Sequence, residues 1–563
     1  MDTSAIYHIN EHVYAYPVGK DRLCVRLRTK RNDLDKVIVH YKNIYAHQEI
    51  ARQLPMERIL FDAHHDYYEA TLQVAEKRFK YYFELHRGRE RKFYTADGFL
   101  EEIRHFNAFF YPYINTDDLL DVPTWLQGEI VYQVFVDRFY RGKHAITSDS
   151  GQDWHIRPDR NTMYGGDLYG VIKKLDHLQR IGVKAIYLNP IFSSPSYHKY
   201  DIDDYETIED AFGGEEALKA LVASAHERGM KVILDGVFNH CSNKHPWFQD
   251  VVTRGSHSPY ADWFIIDAFP INEREPNYDS FGGVVPSMPK FNSTHPEVIE
   301  ALTDIAARLT KRFNIDGWRL DVADEVSHTF WKVFRKKIKA VRTDIVIIGE
   351  IWNHASRWLQ GDEMDSVTNY KFREWAMRFA KAEIGASTFW EKTQANLALY
   401  KRPLYPYLIN LIGSHDTARS RTVLGDDTAH MLLMAMMLTF EGVPLIYYGD
   451  EVGMDGEEDP DNRRAMRWDL VDTQLAHDIA RLATYRSQSE ALKHGHTTPI
   501  LLDEEVIAFE RSIDNTSVQV IINFSTRNIV HDAKKVVDVH VSDGAETSGS
   551  TVTIPAKSYA VVG

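Results

Sequence analysis

The sequence predicts an α/β protein: a (β/α)8 TIM barrel with an inserted subdomain after its third strand and an antiparallel β-sandwich domain on either side. Three observations carry this. The first 122 residues and those after about 490 alternate apolar and polar positions in short runs, the period-two mark of strands with one buried face. Between them, near-continuous apolar runs alternate with amphipathic helical stretches, as buried parallel strands and their covering helices do. Acidic residues recur at the carboxyl ends of several of those runs, where a barrel keeps its reactive groups.

Taken in order, residues 1–122 form the first sandwich, with strands over 23–28, 37–41, 68–72 and 79–85, closed by a linker at Pro123. The barrel is expected over 123–488. Its strands fall at 130–135, 185–189, 231–235, 317–321, 345–350, 366–370, 408–414 and 445–448, and helices over 216–228 and 296–313 supply right-handed crossovers. One strand–helix unit separates Asp321 from Glu350, but Asp235 to Asp321 is more than twice as long. Roughly 45 additional residues therefore follow the third strand. We assign them to a subdomain at 241–295, whose Trp, Phe, Pro and Gly content suits a cleft wall. Residues 489–563 form the second sandwich, with strands at 506–510, 518–523 and 551–554.

The 563 residues can bury several cores. A formal charge of −15 repels nucleic acid and anionic membrane, which leaves a neutral ligand as the expectation. The first twenty residues lack a basic stretch followed by an apolar core, and no apolar run approaches about 20 residues, so a cytoplasmic protein is expected. Cys24 and Cys241 fall in different predicted domains; no disulfide framework is implied, and buried thiols are the simplest reading.

Three carboxylates at successive strand ends point to a glycosidase: Asp321 in GWRLDVADE, Glu350 in IVIIGEIW and Asp416 in LIGSHDTAR. Strand geometry puts Gly317, Arg319 and Asp321 on one face, so a guanidinium lies beside a carboxylate and favours its ionised form, as an attacking nucleophile requires. Glu350 ends a run buried on both faces, an environment expected to raise its pKa and suit it to protonating a leaving oxygen. A single Asp after an apolar strand is ordinarily a helix cap, but Asp235, Asp321, Glu350 and Asp416 together are harder to dismiss. A separation near 5 Å would give retention, and a wider one inversion.

The strings DGVFNH, GWRLDVADE, GEIW and GSHD resemble, in order and spacing, the four signature regions of the α-amylase superfamily of glycoside hydrolases. YLNPIF and GVPLIYYGDEVG extend the resemblance over the whole barrel. It implies a retaining mechanism with Asp321 as nucleophile, Glu350 as acid/base and Asp416 holding sugar hydroxyls. It further implies sugar and nucleophile contacts for Arg319, His240 and His415, a stacking role for Tyr200, and support of the site by Asp235.

MPKFN at 288–292 and the amino-terminal segments AIYH, YAYP and VRLRTK are similar to the neopullulanase, cyclomaltodextrinase and maltogenic amylase group. That resemblance implies cyclic and linear α-glucans as substrates, with transfer to a second sugar as a side reaction. It also implies a homodimer through the amino-terminal domain, whose alternative role is carbohydrate binding. Glu325 and Trp352 match acceptor-side positions, although Asp324 stands where the group has Asn. Asp459 and Arg463 match residues gripping the donor-side end of the sugar chain. The alternatives are an oligo-α-1,6-glucosidase or α-glucosidase, disfavoured by MPKFN, and a non-catalytic amylase-like binding protein, disfavoured by the intact carboxylates. Many relatives bind calcium after the first strand, but here Arg141 and Lys143 replace oxygen ligands in the string 140–145. Asp167 survives alone, so no metal and no cofactor is expected.

Overall fold

Eight parallel strands close into a barrel: β1 (Ile130–Val134), β2 (Val183–Leu188), β3 (Lys231–Gly236), β4 (Gly317–Leu320), β5 (Val346–Gly349), β6 (Ser366–Asn369), β7 (Ile409–Leu411) and β8 (Val443–Tyr447). The structure is a computed structural model and describes all residues except 47, 49, 104–106, 143–152 and 536. Every strand is buried along its length apart from Lys184 and Lys231 near two strand starts, as expected of strands covered by helices outside and side chains within. Close packing explains one conspicuous residue type: a Cβ on Gly317 would come within 2.5 Å of Val346 Cγ1.

Register decides what reaches the carboxyl ends. Asp235 pairs with Arg319 across β3 and β4, and Leu320 pairs with Gly349 across β4 and β5. The next residues, Asp321 and Glu350, therefore leave the barrel at the same level, held by Asp321 N–H to Gly236 O at 3.0 Å and Glu350 N–H to Leu320 O at 2.9 Å.

The helix Pro296–Phe313 spans the predicted residues. Proline occupies its first turn, Lys311 and Arg312 its last, and Asn314 leaves it in the left-handed region at φ 53°. Between β3 and this helix lies the insertion, with a short helix (Pro246–Arg254) and a two-stranded sheet (Ser280–Phe281 with Val285–Pro289). Past the barrel, a five-stranded and a three-stranded antiparallel sheet enclose Val506, Ala508, Ile521, Val552 and Ile554. Two fully buried arginines brace this region, Arg486 from the helix Gln474–Gln488 of the barrel and Arg511 from the strand Val506–Ile513, which it ties to the barrel. Arg486 donates to Leu438 O at 2.7 Å and Gly442 O at 2.6 Å, and Arg511 donates to Thr439 O at 2.6 Å and Gly495 O at 2.7 Å.

The chain divides into two compact units, and the second holds all the elements just described. The first comprises Met1–Val122 with Leu359–Gly361 and Gly385–Tyr405. Its four-stranded and six-stranded sheets enclose Leu23, Val25, Val39, Leu72, Phe83 and Leu85. The grouping of 385–405 with this unit is absent from the contiguous boundaries read along the sequence, and its cause is local. Fully buried Arg26 pairs with Glu69 at 2.7 Å and donates to Ala398 O at 2.7 Å and Tyr400 O at 3.1 Å, satisfying carbonyls of that segment with a charge that burial obliges to be paired. Among the described residues no helix is long and apolar enough to cross a membrane.

Candidate active site

The core of the site is one guanidinium shared by three carboxylates. Arg319, 3 % exposed, places Nη1 3.0 Å from Asp235 Oδ1 and 2.9 Å from Asp321 Oδ1, and Nη2 2.6 Å from Glu350 Oε1. The planar fork suits this sharing, because a single ammonium could not present two separate nitrogens to two carboxyl groups. The sequence reading gave Arg319 to Asp321 alone and expected an ionised aspartate. Its charge is instead divided among three carboxylates: burial pushes the Asp321 carboxyl above the ordinary range, Arg319 opposes this, and Glu350, Asp235 and Asp416 add to the rise. Asp235, also buried, is pushed up to about 6 despite Arg319 and Tyr187.

Glu350 is fixed on both oxygens. Besides Arg319 it accepts from Val322 N–H at 3.0 Å and, more distantly, from the Tyr370 hydroxyl at 3.4 Å. Val322 makes this contact from φ 44° and ψ 46°, a left-handed conformation rare for a β-branched side chain and an instance of strain located at the reacting pair. Its cost is about 1–3 kcal/mol.

Facing this pair, Gln133 Nε2 donates to His415 Nδ1 at 2.7 Å, which leaves the imidazole proton on Nε2, 2.6 Å from the Tyr200 hydroxyl and 3.0 Å from Asp416 Oδ2. Burial, then Arg463 and Arg319, drive the His415 pKa well below its ordinary value, so the ring is neutral. Tyr200 stacks on His415 with centroids 5.3 Å apart and donates to Asp235 Oδ2 at 2.9 Å, beside the Tyr187 hydroxyl at 2.5 Å. His240 is likewise buried and lowered to about 3, and its Nε2 has no partner among the described residues, a polar atom suited to a sugar hydroxyl.

At one end of the cleft Arg463 joins Asp416 at 3.1 Å and Asp459 at 3.0 Å, donates to His415 O at 2.9 Å, and shares the Tyr197 hydroxyl with Asp459. At the other end Glu325 pairs with Lys290 at 2.8 Å, and Trp352, 42 % exposed, lies flat on Tyr370 with centroids 3.8 Å apart. Asp321, Glu350, Asp416, Tyr200, His240, His415, Glu325, Trp352, Asp459 and Arg463 all line one cavity of about 460 Å³. Asp235 and Arg319 do not line it; they lie behind the carboxylates and hold them. Tyr187, Tyr197, Gln133 and Tyr370 were not singled out from the sequence. Tyr370 directly follows β6, so the strand-end rule that found Asp321 could have found it.

The described residues after β1 offer no oxygen cage. Asp137 is committed to Arg138 at 2.6 Å and to the N–H groups of Tyr164 and Gly165 at 3.0 and 2.9 Å. Asp167 caps the helix Leu168–Arg180 by accepting from Gly170 N–H at 2.6 Å, and Arg141 donates to Tyr164 O. Positions 143–152 of that loop lie outside the described residues. Among the described residues no group of three or more His, Cys, Asp or Glu is placed to hold a metal ion.

A barrel with paired carboxylates at its carboxyl face beside neutral histidines has the make-up of a glycosidase. Residues 133–505 match the α-amylase catalytic domain and 1–115 its N-terminal Ig-like domain; the chain belongs to the α-amylase family. Among similar proteins, the cyclomaltodextrinase of Geobacillus thermopakistaniensis is 41 % identical over 539 residues, covering 93 % of this chain and 92 % of the relative. Neopullulanase 2 of Thermoactinomyces vulgaris is 41 % identical over 536 residues, covering 93 % and 91 %. A solved cyclomaltodextrinase structure superimposes with a TM-score of 0.94 at 34 % identity, covering all of both chains.

Proposed function

We propose that this glycosidase hydrolyses α-1,4-glucosidic bonds of cyclodextrins, malto-oligosaccharides and pullulan with retention, Asp321 as nucleophile and Glu350 as acid/base. The observation that carries this reading is the single guanidinium bridging both carboxyl groups, which favours the close pairing of about 5 Å used in retention over the wider gap of about 6.5–9.5 Å that must admit a water. In the reaction Glu350 delivers a proton to the leaving oxygen as the Asp321 carboxylate attacks the anomeric carbon. His240, His415 and Asp416 hold sugar hydroxyls, and bonds that tighten as the ring flattens lower the barrel's chemical barrier. Tyr200 lies under the reacting sugar. Asp459 and Arg463 grip the donor-side end, and Glu325 and Trp352 receive the leaving or accepting sugar, where transfer competes with water.

The substrate class follows from the relatives' names, and a homodimer through the amino-terminal domain, proposed by analogy with the neopullulanase and cyclomaltodextrinase group, would narrow the cleft in favour of small or cyclic substrates. Tyr45 and Ile50, 69 % and 92 % exposed, leave apolar surface on that domain. Initial rates on β-cyclodextrin and soluble starch at equal mass concentration test this, alongside sedimentation of the same sample. A ring preference of at least about tenfold from a dimer is expected; faster attack on starch by a monomer would sink it. Two buried free thiols, Cys24 and Cys241, suit a reducing cytoplasm.

No structural calcium is proposed, since Asp137 and Asp167 are committed to an ion pair and a helix cap and Arg141 and Lys143 stand where oxygen ligands would. Chelation followed by calcium titration is expected to leave the melting temperature within about 1 °C. A calcium-dependent rise of several degrees would restore the metal.

A further inference from the structure

Six carboxylates line the cleft: Asp321, Asp324, Glu325, Glu350, Asp416 and Asp459. Five have a cation within ion-pairing distance. Arg319 serves Asp321 and Glu350, Arg463 serves Asp416 and Asp459, and Lys290 serves Glu325. Among the described residues Asp324 alone has none. It sits in the short turn Ala323–Glu325 directly after the nucleophile position, a turn tied to the acid/base residue by Ala323 N–H to Glu350 O at 3.2 Å. Asp324 is exposed to the cleft, in the same short turn as Glu325. The one nearby cation, Lys290, is already engaged at 2.8 Å by Glu325.

An unpaired anion that lines the same cavity as an exposed aromatic side chain can recognise a sugar that carries a positive charge. Trp352, lying flat on Tyr370, presents a platform for a pyranose ring, and an ammonium on that ring would supply the counter-ion that Asp324 lacks. Resting on the reading of Glu350 as the residue that protonates the leaving oxygen, we propose that Asp324 makes the leaving-group end of the cleft selective for amino sugars, accepting a protonated 2-amino-2-deoxyhexose in preference to its neutral counterpart. Burial, then Glu350 and Glu325, raises the Asp324 carboxyl pKa, an electrostatic load that a bound ammonium relieves. The preference is modest, because a pair open to solvent is screened.

Isothermal titration of glucosamine, glucose and N-acetylglucosamine into the full chain tests the proposal at pH 7.0, below the amine pKa of about 7.7. Glucosamine is expected to bind about threefold more tightly than either neutral sugar, Asp324→Asn to abolish the difference, and Asp324→Glu to keep it. At pH 9, where the amine is neutral, the wild-type preference is expected to vanish. Equal affinities in the wild type, a preference that survives in Asp324→Asn, or one that persists at pH 9 would each overturn it. Because Asp324 is exposed and the neutral sugars report an intact site in the same samples, misfolding of the variant would show as loss of all three affinities, and the wild-type comparison with pH would then decide. The readout is equilibrium binding, so failure to hydrolyse β-cyclodextrin would overturn the proposed function while leaving this result to stand or fall separately.

Discussion

Asp321→Asn is expected to lower kcat on β-cyclodextrin by at least about 10⁴-fold, and Glu350→Gln by about 10²–10⁴-fold, but the two losses should differ in kind. Removing Asp321 removes the atom that forms the glycosyl-enzyme bond, and no leaving group restores it. Removing the Glu350 proton harms only departures that need one. A maltosyl fluoride or nitrophenyl maltoside, whose leaving group departs unprotonated, should therefore still glycosylate Asp321 in Glu350→Gln. With no base left to activate water, the covalent species should accumulate, visible as a pre-steady-state burst and as a maltosyl adduct in intact mass, and azide should discharge it. Asp321→Asn should show neither. A burst in Asp321→Asn with none in Glu350→Gln would exchange the two assignments, and an adduct in neither would argue for inversion. Both variants keep the Arg319 fork partly satisfied, because Asp235 and the other carboxylate remain on it.

How far this site could be read in the sequence depends on whether the determining interaction was local. The barrel strands were legible because burial on both faces writes an unbroken apolar run, and the helix Pro296–Phe313 because proline at its start and basic residues at its end mark both limits. Asp321, Glu350 and Asp416 were legible because each follows its strand. What was not legible is the traffic between strands. Arg319 and Asp321 are two residues apart, so their pairing follows from parity; that the same guanidinium also holds Asp235 and Glu350 depends on the registers of β3 to β5, which no single segment encodes. The raised carboxyl of Asp321, opposite to the expected direction, comes first from burial, with the neighbouring carboxylates adding to it and Arg319 opposing it. The docking of 385–405 onto the amino-terminal unit was hidden for the same reason, since Arg26 lies more than 370 positions from the carbonyls it satisfies. Val322 carries no sequence mark of its left-handed backbone at all: a valine is the residue one would least expect there.

Asp235→Asn tests whether this arrangement was selected for catalysis at the expense of stability. Asp235 is 1 % exposed, and its pKa in the folded chain is about 6, above the ordinary aspartate value. Below about pH 4 the folded and unfolded states both hold the proton, and the buried neutral acid costs little. Between about pH 4 and 6 the unfolded chain has released the proton while the folded one retains it, so the stability contributed by the neutral group is progressively lost as pH rises. Above about 6 the loss is complete, on the order of 2–3 kcal/mol. Asparagine does not ionise. It keeps an oxygen to accept the hydroxyls of Tyr187 and Tyr200, and Arg319 retains Asp321 and Glu350 as counter-ions. The melting temperature of Asp235→Asn relative to the wild type is therefore expected to climb from near zero at pH 4 to a gain of several degrees at pH 8, while kcat on β-cyclodextrin falls by about 10²-fold, because Arg319 and Tyr200 lose the anion that fixes them against the reacting pair. Thermal scans of both proteins across this range, with rates measured at pH 6.5, separate the possibilities. A variant less stable than the wild type at pH 8 would mean that the Asp235 ion pair and its two tyrosine hydrogen bonds outweigh the cost of burying the charge. Unchanged activity would mean that Arg319 is held well enough by Asp321 and Glu350 alone.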